Sequence, residues 1–356
     1  MDDIARCLAS VLGIAMRMIS DRAQSPTTTP HPTWYEAGAR TCLVSEPSGL
    51  EAELLCRGVR VVPLCPGPMA VHIVRIGLGD VVLQTARSTP IALLGKLPRS
   101  TILLVLPLGA SATATATLNG LAMKPHSAVA YGGGAEYEAA LHGAGTWSVV
   151  TMLSVTTDTL LGRQSLPAAV RRGAHGLLRV NPAVWARAEA LLQSAGEVAA
   201  RDPGVLDVAE ARQGLRCAMF EMVDDLLAMP MEGEPARTRL ARMTHRQLIR
   251  RVDDHVSMAP KQVTGVTELS RALGTADRQL REAFASILGV SPARYLRLRR
   301  LMLVRAALRA PGRPWQTVRE AALAHGFWHL GRFSSFYRET FGESPVRTLQ
   351  GACSRR

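Results

Sequence analysis

The sequence lacks the patterns that mark secreted, zinc-binding and membrane proteins. Its six cysteines stand apart, with no C-x-x-C pair and no histidine cluster, which argues against disulfides and structural zinc. No apolar run approaches the roughly 20 uncharged residues that cross a bilayer, and residues 101–110 are typical of the longest. Asp2, Asp3, Arg6 and Arg17 interrupt the start of the chain, unlike a secretory signal. We therefore expect a cytoplasmic protein with free thiols and no membrane partner.

Lysine is scarce, since only three of the 42 basic residues are Lys, and the excess positive charge lies at one end of the chain. Residues 236–356 hold 23 Lys and Arg against 8 Asp and Glu, a net charge of +15. The first 235 residues hold 19 against 21, a net charge of −2, so the chain is not arginine-rich throughout. A basic segment that is also rich in apolar residues is typical of a folded module for a polyanion such as nucleic acid.

Length and hydrophobic pattern predict more than one domain. At about 150 residues per domain, 356 residues suffice for two or three. Residues 1–22 are predicted to form a short helix, and residues 23–33, rich in Pro and Thr, a linker. Short β-rich runs separated by Gly, Pro, Asp and Asn turns then predict an antiparallel sandwich or barrel. The runs are residues 59–62, 70–76, 80–86, 101–106, 112–118, 128–131 and 146–154.

The hydrophobic period becomes that of a helix from Pro182 onward. Apolar residues recur at helical spacing up to a break at residues 202–204 and again over 208–227, which predicts a helical hairpin. Residues 233–235 are a predicted hinge, and the rest of the chain is predicted to be helical. We therefore expect an α+β multidomain protein. Its four parts are residues 1–33, 34–181, 182–235 and 236–356.

An internal repeat is the strongest signal in the basic part. Residues 289–296 and 342–349 share the frame G-x-S-P-x-R-x-L at an offset of 53 residues. The same offset superposes Leu280 on Phe333, so the apolar pattern upstream repeats as well. A repeated unit of this size is one supersecondary element used twice.

Each copy predicts a short helix, a turn at a glycine and a second helix, which is the helix-turn-helix arrangement. In the first copy Thr267 is placed to cap the leading helix and Gly274 to make the turn, where positive φ costs glycine nothing. In the second copy Gly326 makes the turn, one residue out of phase, which predicts one extra residue after it. The inward stripes are Leu280, Ala283, Phe284 and Ile287 in the first copy and Phe333, Tyr337 and Phe341 in the second.

A long helix from Pro292 to about residue 310 is predicted to join the two copies. About 18 residues at 1.5 Å each span ~27 Å. The second helix of each copy, called the reading helix below, is the one expected to enter a DNA groove. A connecting helix of that length can hold the two reading helices in successive major grooves of double-stranded DNA, which lie about 34 Å apart.

Residues 246–349 resemble the tandem helix-turn-helix domain of AraC/XylS-type transcription regulators. The phrase G-F-W-H-L-G-R-F at residues 326–333 is most similar to the ethanolamine-utilisation regulator branch. The resemblance implies sequence-specific DNA binding and RNA polymerase as a partner. It also implies a cupin-like sandwich at 34–181 that senses an unidentified small-molecule effector, whose binding residues the sequence does not indicate. The other matching positions are Gly289, Pro292, Arg300, Leu301, Val318, Ala321, Ala322, Gly342, Ser344 and Pro345.

Two features depart from the family pattern. The family usually caps both reading helices with Ser, whereas this chain has Ala276 and His329 there. Thr275, one residue earlier, and a neutral His329 are the alternative caps. Glu282 repels phosphate and can read only a base-edge donor such as cytosine N4.

The faces opposite the apolar stripes are the predicted DNA contacts. They carry Arg278, Gln279, Arg281 and Glu282 on the first reading helix and His329, Arg332, Ser335 and Arg338 on the second. The two arginines in the first turns, Arg278 and Arg332, are predicted to contact bases, and Arg281, Arg338 and His329 to contact phosphates. The alternative for each arginine is a solvated surface charge.

Five further residues near the reading helices are predicted to be structural. On the connecting helix, Arg297, Arg299 and Arg305 are expected to be solvated or paired with Asp or Glu. Trp328 is expected to pack rather than to intercalate, and Trp315 to fill the core beside the connecting helix.

The first two thirds carry no enzyme motif that we recognise. There is no G-x-S-x-G elbow, Walker loop or dinucleotide fingerprint. His72, His126 and His142 stand alone, without the His-x-His pair of a metal-binding cupin, so we expect no metal, no cofactor and no catalysis. Two alternatives to a transcription regulator stay open, a cupin-like enzyme tethered to DNA and an effector-independent architectural DNA binder. Residues 204–228 are apolar enough for either a homodimer interface or packing within the chain.

Overall fold

The structure is a computed structural model and describes residues 35–55, 57–109, 116–157, 166–232, 236–259, 265–310 and 315–353. The predicted N-terminal helix and linker at 1–33 and the predicted hinge at 233–235 lie outside these residues. No helix in the described part of the chain is long and apolar enough to span a lipid bilayer.

Two antiparallel sheets make up the N-terminal part of the described chain. Sheet 1 has the strand order β1-β3-β4-β11-β6-β9-β12, and sheet 2 has the order β2-β5-β10-β7-β8. The strands are β1 (Gly38–Val44), β2 (Arg57–Pro63), β3 (Val71–Gly77), β4 (Val81–Ser88), β5 (Ile91–Lys96), β6 (Thr101–Leu108), β7 (Ala116–Leu118), β8 (Leu121–Ala122), β9 (Ser127–Tyr131), β10 (Glu136–Leu141), β11 (Gly145–Leu153) and β12 (His175–Arg179).

The middle of sheet 1 is buried on both faces. In β6 every residue is buried, and alternate side chains enter two different cores. Leu103 and Val105 point into the core between the two sheets, while Leu104 and Leu106 point into the core beneath the helical hairpin. Because successive strand residues face opposite sides, a strand covered on both sides is apolar throughout. This explains the unbroken apolar run at residues 101–106.

The helices lie at the two ends of this stack of layers. Short helices α1 (Pro47–Glu53), α2 (Ser154–Thr157) and α3 (Ala168–Arg171) connect strands. The predicted hairpin is α4 (Pro182–Arg201) and α5 (Ala209–Leu227), joined by a 3-10 turn at Pro203–Asp207. The remaining helices are α6 (Ala236–Met258), α7 (Val266–Leu273), α8 (Asp277–Ile287), α9 (Pro292–Arg309), α10 (Val318–Ala324), α11 (Leu330–Phe341) and α12 (Pro345–Cys353).

The hairpin covers the outer face of sheet 1. Asn181 caps α4 by accepting a 2.8 Å hydrogen bond from the Ala183 amide, and Pro182 occupies the first helical position. Met219 and Val223 of α5 are fully buried in the same core as Trp185 of α4. The apolar surface that suggested a homodimer through 204–228 is therefore used in packing within the chain, and the dimer stays a prediction.

The outer face of sheet 2 packs against the helical C-terminal part. Val62, Ala92, Leu94 and Ala140 of the sheet, with Leu64 just after β2, join one hydrophobic core with residues of α6, α8 and α9. A second, smaller core lies between α9, α10 and α11. The chain is therefore layered as hairpin, sheet 1, sheet 2 and C-terminal helices, with apolar cores between the layers.

Five strands fall outside the predicted runs, namely β1, β5, β8, β10 and β12. β10 shows why, because its sequence Glu-Tyr-Glu-Ala-Ala-Leu contains residues that are depleted in strands. Its pairing with β5 and β7 on either side decides its conformation. Six of the predicted runs coincide with strands, and of the seventh, residues 112–118, only β7 lies within the described chain.

Candidate nucleic-acid interface

Two helix pairs in the C-terminal part each contain a turn at a glycine with positive φ. In α7–α8 the turn glycine is Gly274 with φ 62°, and in α10–α11 it is Gly326 with φ 80°. In each pair the amide after this glycine donates to a carbonyl five residues earlier, at 3.0 Å in both. This is the bond pattern of a helix that ends at a left-handed residue. Both predicted turn glycines are confirmed.

The second turn is one residue longer than the first. The residue that precedes α8 is Ala276, two positions after its glycine, whereas His329, before α11, follows its glycine by three. This is the extra residue that the phase shift of the repeat predicts. The leading helix α7 begins after Gly265, so the prediction that Thr267 caps it is wrong, and Thr267 lies inside the first turn.

The second helix of each pair turns one apolar stripe inward. On α8 the four predicted stripe residues are at most 1% exposed. On α11 Phe333 and Tyr337 are buried and Phe341 is half-buried. Since the stripes fix the rotation of both helices, the opposite faces point outward.

Neither reading helix is capped by the side chain of the residue that precedes it. Ala276 has no acceptor atom, and the Thr275 hydroxyl donates instead to the Gln279 side chain at 2.8 Å. His329 makes no capping bond. Both predicted alternative caps are therefore wrong. By contrast, Thr317 and Glu320 at the start of α10 form a reciprocal capping box, with bonds of 3.2 Å in each direction.

The predicted contacts on α8 are exposed, and both of the arginines among them lie beside a carboxylate. The Nε of Arg278 lies 2.7 Å from Oε1 of Glu282, one helical turn later, and this neighbour raises the pKa of the arginine. Arg281 lies 3.9 Å from Asp277, and Gln279 is exposed beside them. In the free protein Glu282 is thus paired with the arginine that was predicted to contact a base.

The predicted contacts on α11 are exposed and less engaged. His329, Arg332, Ser335 and Arg338 are all exposed, and Ser335 donates to the Gly331 carbonyl at 3.2 Å. Among the residues that the structure describes, neither the Arg332 nor the Arg338 guanidinium has an ion-pair or hydrogen-bond partner. The face of α11 therefore presents two positive charges to solvent.

Two arginines of the connecting helix α9 are paired, as predicted. Arg299 donates to Asp253 at 2.7 Å, and Asp253 also accepts the Tyr295 hydroxyl at 2.7 Å. Burial, with the Asp253 charge next, raises the pKa of Tyr295 well above its ordinary value. Arg305 bonds to Glu46 at 2.8 Å and lies 3.0 Å from Glu343. These charges hold the fold together and are not available to a ligand.

Of the other residues predicted to be structural, two pack against the fold and one is exposed. Arg297 lies over the Phe336 ring, 4.3 Å from its centroid, and Trp315 is half-buried beside the core of α9, α10 and α11. Trp328 is 63% exposed, so the prediction that it packs is wrong. Its neighbour Phe327 occupies the packing position instead, 5.0 Å from the Phe333 ring.

A buried charge cluster that the sequence did not indicate joins α6 to sheet 2, and a hydrogen bond joins the end of α8 to the same sheet. Glu138 of β10 is 1% exposed and accepts from Arg246 and, at 2.7 Å, from Arg250 of α6. The Thr117 hydroxyl of β7 donates to the Ile287 carbonyl at the end of α8, at 2.8 Å. The sequence around Glu138 does not indicate that this residue is buried, because its burial and its pairing depend on α6, which packs on the sheet.

The described residues contain no group of three or more His, Cys, Asp or Glu side chains that could hold a metal ion. Of the isolated histidines, His142 has its pKa lowered by burial and then by Arg294, which is typical of a neutral packed imidazole.

Comparisons with known proteins agree with the geometry of the C-terminal part. Residues 269–351 match the family model of a helix-turn-helix domain. Over 99 residues the chain is 37% identical to the XylDLEGF operon transcriptional activator 2 of Pseudomonas putida, a stretch that covers 28% of this chain and 63% of that protein. Over 103 residues it is 32% identical to the probable thc operon regulatory protein of Rhodococcus erythropolis, covering 29% and 31%.

Among solved structures, a probable AraC family transcriptional regulator from Rhodopseudomonas palustris CGA009 is 32% identical, with a TM-score of 0.27. The match covers 30% of this chain and 97% of that chain. The chain thus spans less than two thirds of the length of the two operon regulators.

The fold and the exposed basic faces define a helix-turn-helix protein. Residues 269–351 match a helix-turn-helix domain, and this part of the chain is similar in sequence to an operon transcriptional activator of Pseudomonas putida. Membership of the AraC/XylS type is a prediction from the sequence. The likeness to the ethanolamine-utilisation branch stays a prediction.

Proposed function

We propose that this protein is a sequence-specific, DNA-binding transcription regulator that reads double-stranded DNA with two helix-turn-helix units, through α8 and α11. The observation that carries the proposal is that each of these helices buries one apolar stripe and presents an opposite, fully accessible face with arginines. Arginine pairs bidentately with guanine or clamps phosphate, so such a face suits both base reading and backbone contact.

The connecting helix supports the use of two successive major grooves. α9 runs for 18 residues, from Pro292 to Arg309, and is capped by Ser291. At 1.5 Å per residue it is ~27 Å long. It packs on α8 through Tyr295 and on α11 through Leu301, so it sets the separation between the two reading helices.

The two reading helices are proposed to differ in how strongly and how selectively they bind DNA. Arg332 and Arg338 are unpaired among the described residues and meet DNA without breaking a bond. Arg278 must share its side chain between Glu282 and the DNA, so α8 reads more selectively and binds more weakly. A carboxylate beside phosphate is unfavourable, and Glu282 gains only where a base-edge donor meets it.

The β-rich part is proposed to carry the small-molecule control, as a cupin-like sensor. Its shared core with α6, α8 and α9 gives any rearrangement of sheet 2 a direct mechanical route to the reading helices. A polar cleft of about 460 Å³ lies between sheet 2 and α6, lined among others by Arg60, Lys96, Glu136 and Arg250. A molecule bound in this cleft would touch both layers. RNA polymerase is the proposed partner at the promoter.

The test is a binding titration of the full chain against a duplex of about 40 base pairs. The duplex is selected from a random pool by the protein itself, and a scrambled duplex of equal composition is the control. With several phosphates neutralised, affinity falls by about tenfold or more between 50 and 200 mM salt. The selected duplex is preferred to the scrambled one by roughly a thousandfold. Failure to enrich any sequence contradicts sequence-specific binding, and binding that is indifferent to salt contradicts the phosphate contacts.

A further inference from the structure

An exposed indole stands at the entrance to α11. Trp328 is 63% exposed, whereas Trp147 and Trp185 are each 5% exposed and Trp315 is half-buried. Trp328 directly precedes His329, the residue at the helix boundary. Its aromatic neighbour Phe327 is fixed between the Phe333 ring and the Arg300 guanidinium. The backbone that holds Trp328 is therefore anchored by packing, while its own side chain projects into solvent.

The stretch of sequence around this tryptophan is basic and contains no carboxylate. Residues 326–338 contain Arg332, Arg338 and His329 and no Asp or Glu. Both arginines lie on the outward face of the helix that Trp328 precedes. A flat apolar ring beside unpaired guanidinium groups complements a surface that offers both apolar base or sugar faces and negative charge. Duplex DNA has this combination, since thymine methyl groups and deoxyribose rings lie between phosphates.

We propose that Trp328 is a DNA-contacting residue, whose indole lies against a thymine methyl group or a deoxyribose ring where α11 enters the major groove. The contact rests on the proposed function and adds an apolar component to it. It accounts for a large aromatic side chain that the protein leaves in water. It also gives the second reading helix a contact that depends little on salt, unlike those of Arg332 and Arg338.

The experiment uses the full chain and the selected duplex described above. Trp328→Ala lowers affinity by about five- to thirtyfold, within the range measured for aromatic stacking on nucleic acids, and Trp328→Phe retains most of it. Because the indole is largely exposed, the thermal unfolding midpoint stays unchanged. Leu43→Ala is the matched control, since Leu43 is 71% exposed on β1 and its truncation leaves binding unaltered.

A spectroscopic readout separates a DNA contact from an indirect effect. Acrylamide quenches the tryptophan emission of the free protein, DNA protects part of this emission, and the DNA-protected part is absent in Trp328→Phe. Replacing thymines by deoxyuridine identifies the partner. If the deoxyuridine duplex binds the wild type more weakly but binds Trp328→Ala as before, the indole contacts a thymine methyl group. If the replacement changes the binding of neither protein, the indole contacts a deoxyribose ring.

Two results overturn the proposal in distinguishable ways. If the wild type binds the duplex while Trp328→Ala binds equally well and Trp328 stays quenchable in the complex, the indole does not contact DNA. That result points to a protein partner for the exposed ring and leaves the proposed function intact. If the wild type binds no duplex at all, both the proposed function and this contact are wrong.

Discussion

At the scale of single residues, two arginines of α11 have different expected roles. Arg332 lies in the first turns of the helix and Arg338 nearly two turns later, and both are exposed. A helix that enters a major groove by its N-terminal end brings its first turns closest to the base edges. Arg332 is therefore placed to contact a base, and Arg338 to contact the phosphate backbone.

We expect Arg332→Ala to cost ~1–3 kcal/mol on the selected duplex and much less on a scrambled one. Arg338→Ala weakens both by similar amounts and lowers the salt slope by about one unit. Titrations of both duplexes at two salt concentrations measure this. Arg87→Ala, an exposed arginine of β4, controls for the loss of one charge. Equal losses for Arg332→Ala on both duplexes would make Arg332 a phosphate contact.

At the same scale, the inward stripes and the turn glycines could be predicted because they depend on local spacing. Leu280, Phe284 and Phe333 are buried as their periodicity requires. The exposure of Trp328 could not be predicted, since it depends on Phe327 occupying the adjoining space first. Likewise, the Arg278–Glu282 pair was visible as an i, i+4 spacing, but its effect on base reading emerges only when both side chains share the outward face.

At the scale of elements, the turn between α7 and α8 depends on one backbone conformation. Gly274 has φ 62°, and a Cβ built on it would have no heavy atom within 4 Å. Any cost of a side chain there is therefore conformational strain and not a clash. Gly331 of α11 also has open space but an ordinary helical conformation.

We expect Gly274→Ala to lower the free energy of unfolding by about 1–2 kcal/mol, the cost of an L-residue in the left-handed region. Gly331→Ala, the matched control, leaves it unchanged or raises it by up to about 1 kcal/mol through helix propensity. Denaturant unfolding of the full chain measures both. Equal shifts for the two variants would show that the positive φ of Gly274 does not constrain the turn.

The strands show which elements can be predicted from local sequence and which depend on contacts distant in the chain. β6 was predictable because both of its faces are buried and the run is apolar throughout. β10 was not, because Glu138 sits in the strand as the buried partner of Arg246 and Arg250. A buried glutamate is stabilised there by two guanidinium groups from a helix more than a hundred residues away, a non-local contact that no sequence window shows.

At the scale of the whole molecule, His175 of β12 is part of the junction between the sheets and α6. Its Nδ1 lies 3.0 Å from the Asn119 side-chain nitrogen and its Nε2 lies 3.0 Å from Nη1 of Arg242. Burial, followed by the charges of Arg246 and Arg242, lowers the pKa of His175 to about 3. The imidazole is thus neutral in the folded protein over the whole physiological range.

This histidine gives the fold a defined response to acid. Since its pKa is about 3 when folded and 6.5 when exposed, only the unfolded chain takes up the proton between these values. The stability that the neutral ring contributes is complete above pH 6.5 and falls as the pH drops towards 3. The loss approaches ~1.4 kcal/mol per pH unit.

We expect the free energy of unfolding of the wild type to fall by about 1–2 kcal/mol more than that of His175→Gln between about pH 7 and about pH 5. Denaturant unfolding at the two pH values measures the difference. His72→Gln, at an exposed histidine of β3, controls for the substitution of histidine by glutamine. Parallel pH profiles for His175→Gln and the wild type would contradict a buried neutral His175.

The β-rich and helical parts of the chain are not separate units, because they share a hydrophobic core. Composition and period predict separate β-rich and helical parts, yet Val62, Leu94 and Ala140 share a core with the reading helices. The sequence shows each surface as apolar or charged but not which surface covers it. Sensing and DNA reading are therefore proposed to be coupled through sheet 2 rather than through a flexible tether.

Guanine methylation interference on the selected duplex tests the central claim most directly, because N7 methylation blocks arginine contacts in the major groove. Two helices held by α9 predict two clusters of interfering guanines about 10–11 base pairs apart on one face of the duplex. In Arg332→Ala one cluster disappears while the other persists. A single cluster in the wild type, or interference spread evenly along the duplex, would contradict reading by two helices in successive major grooves.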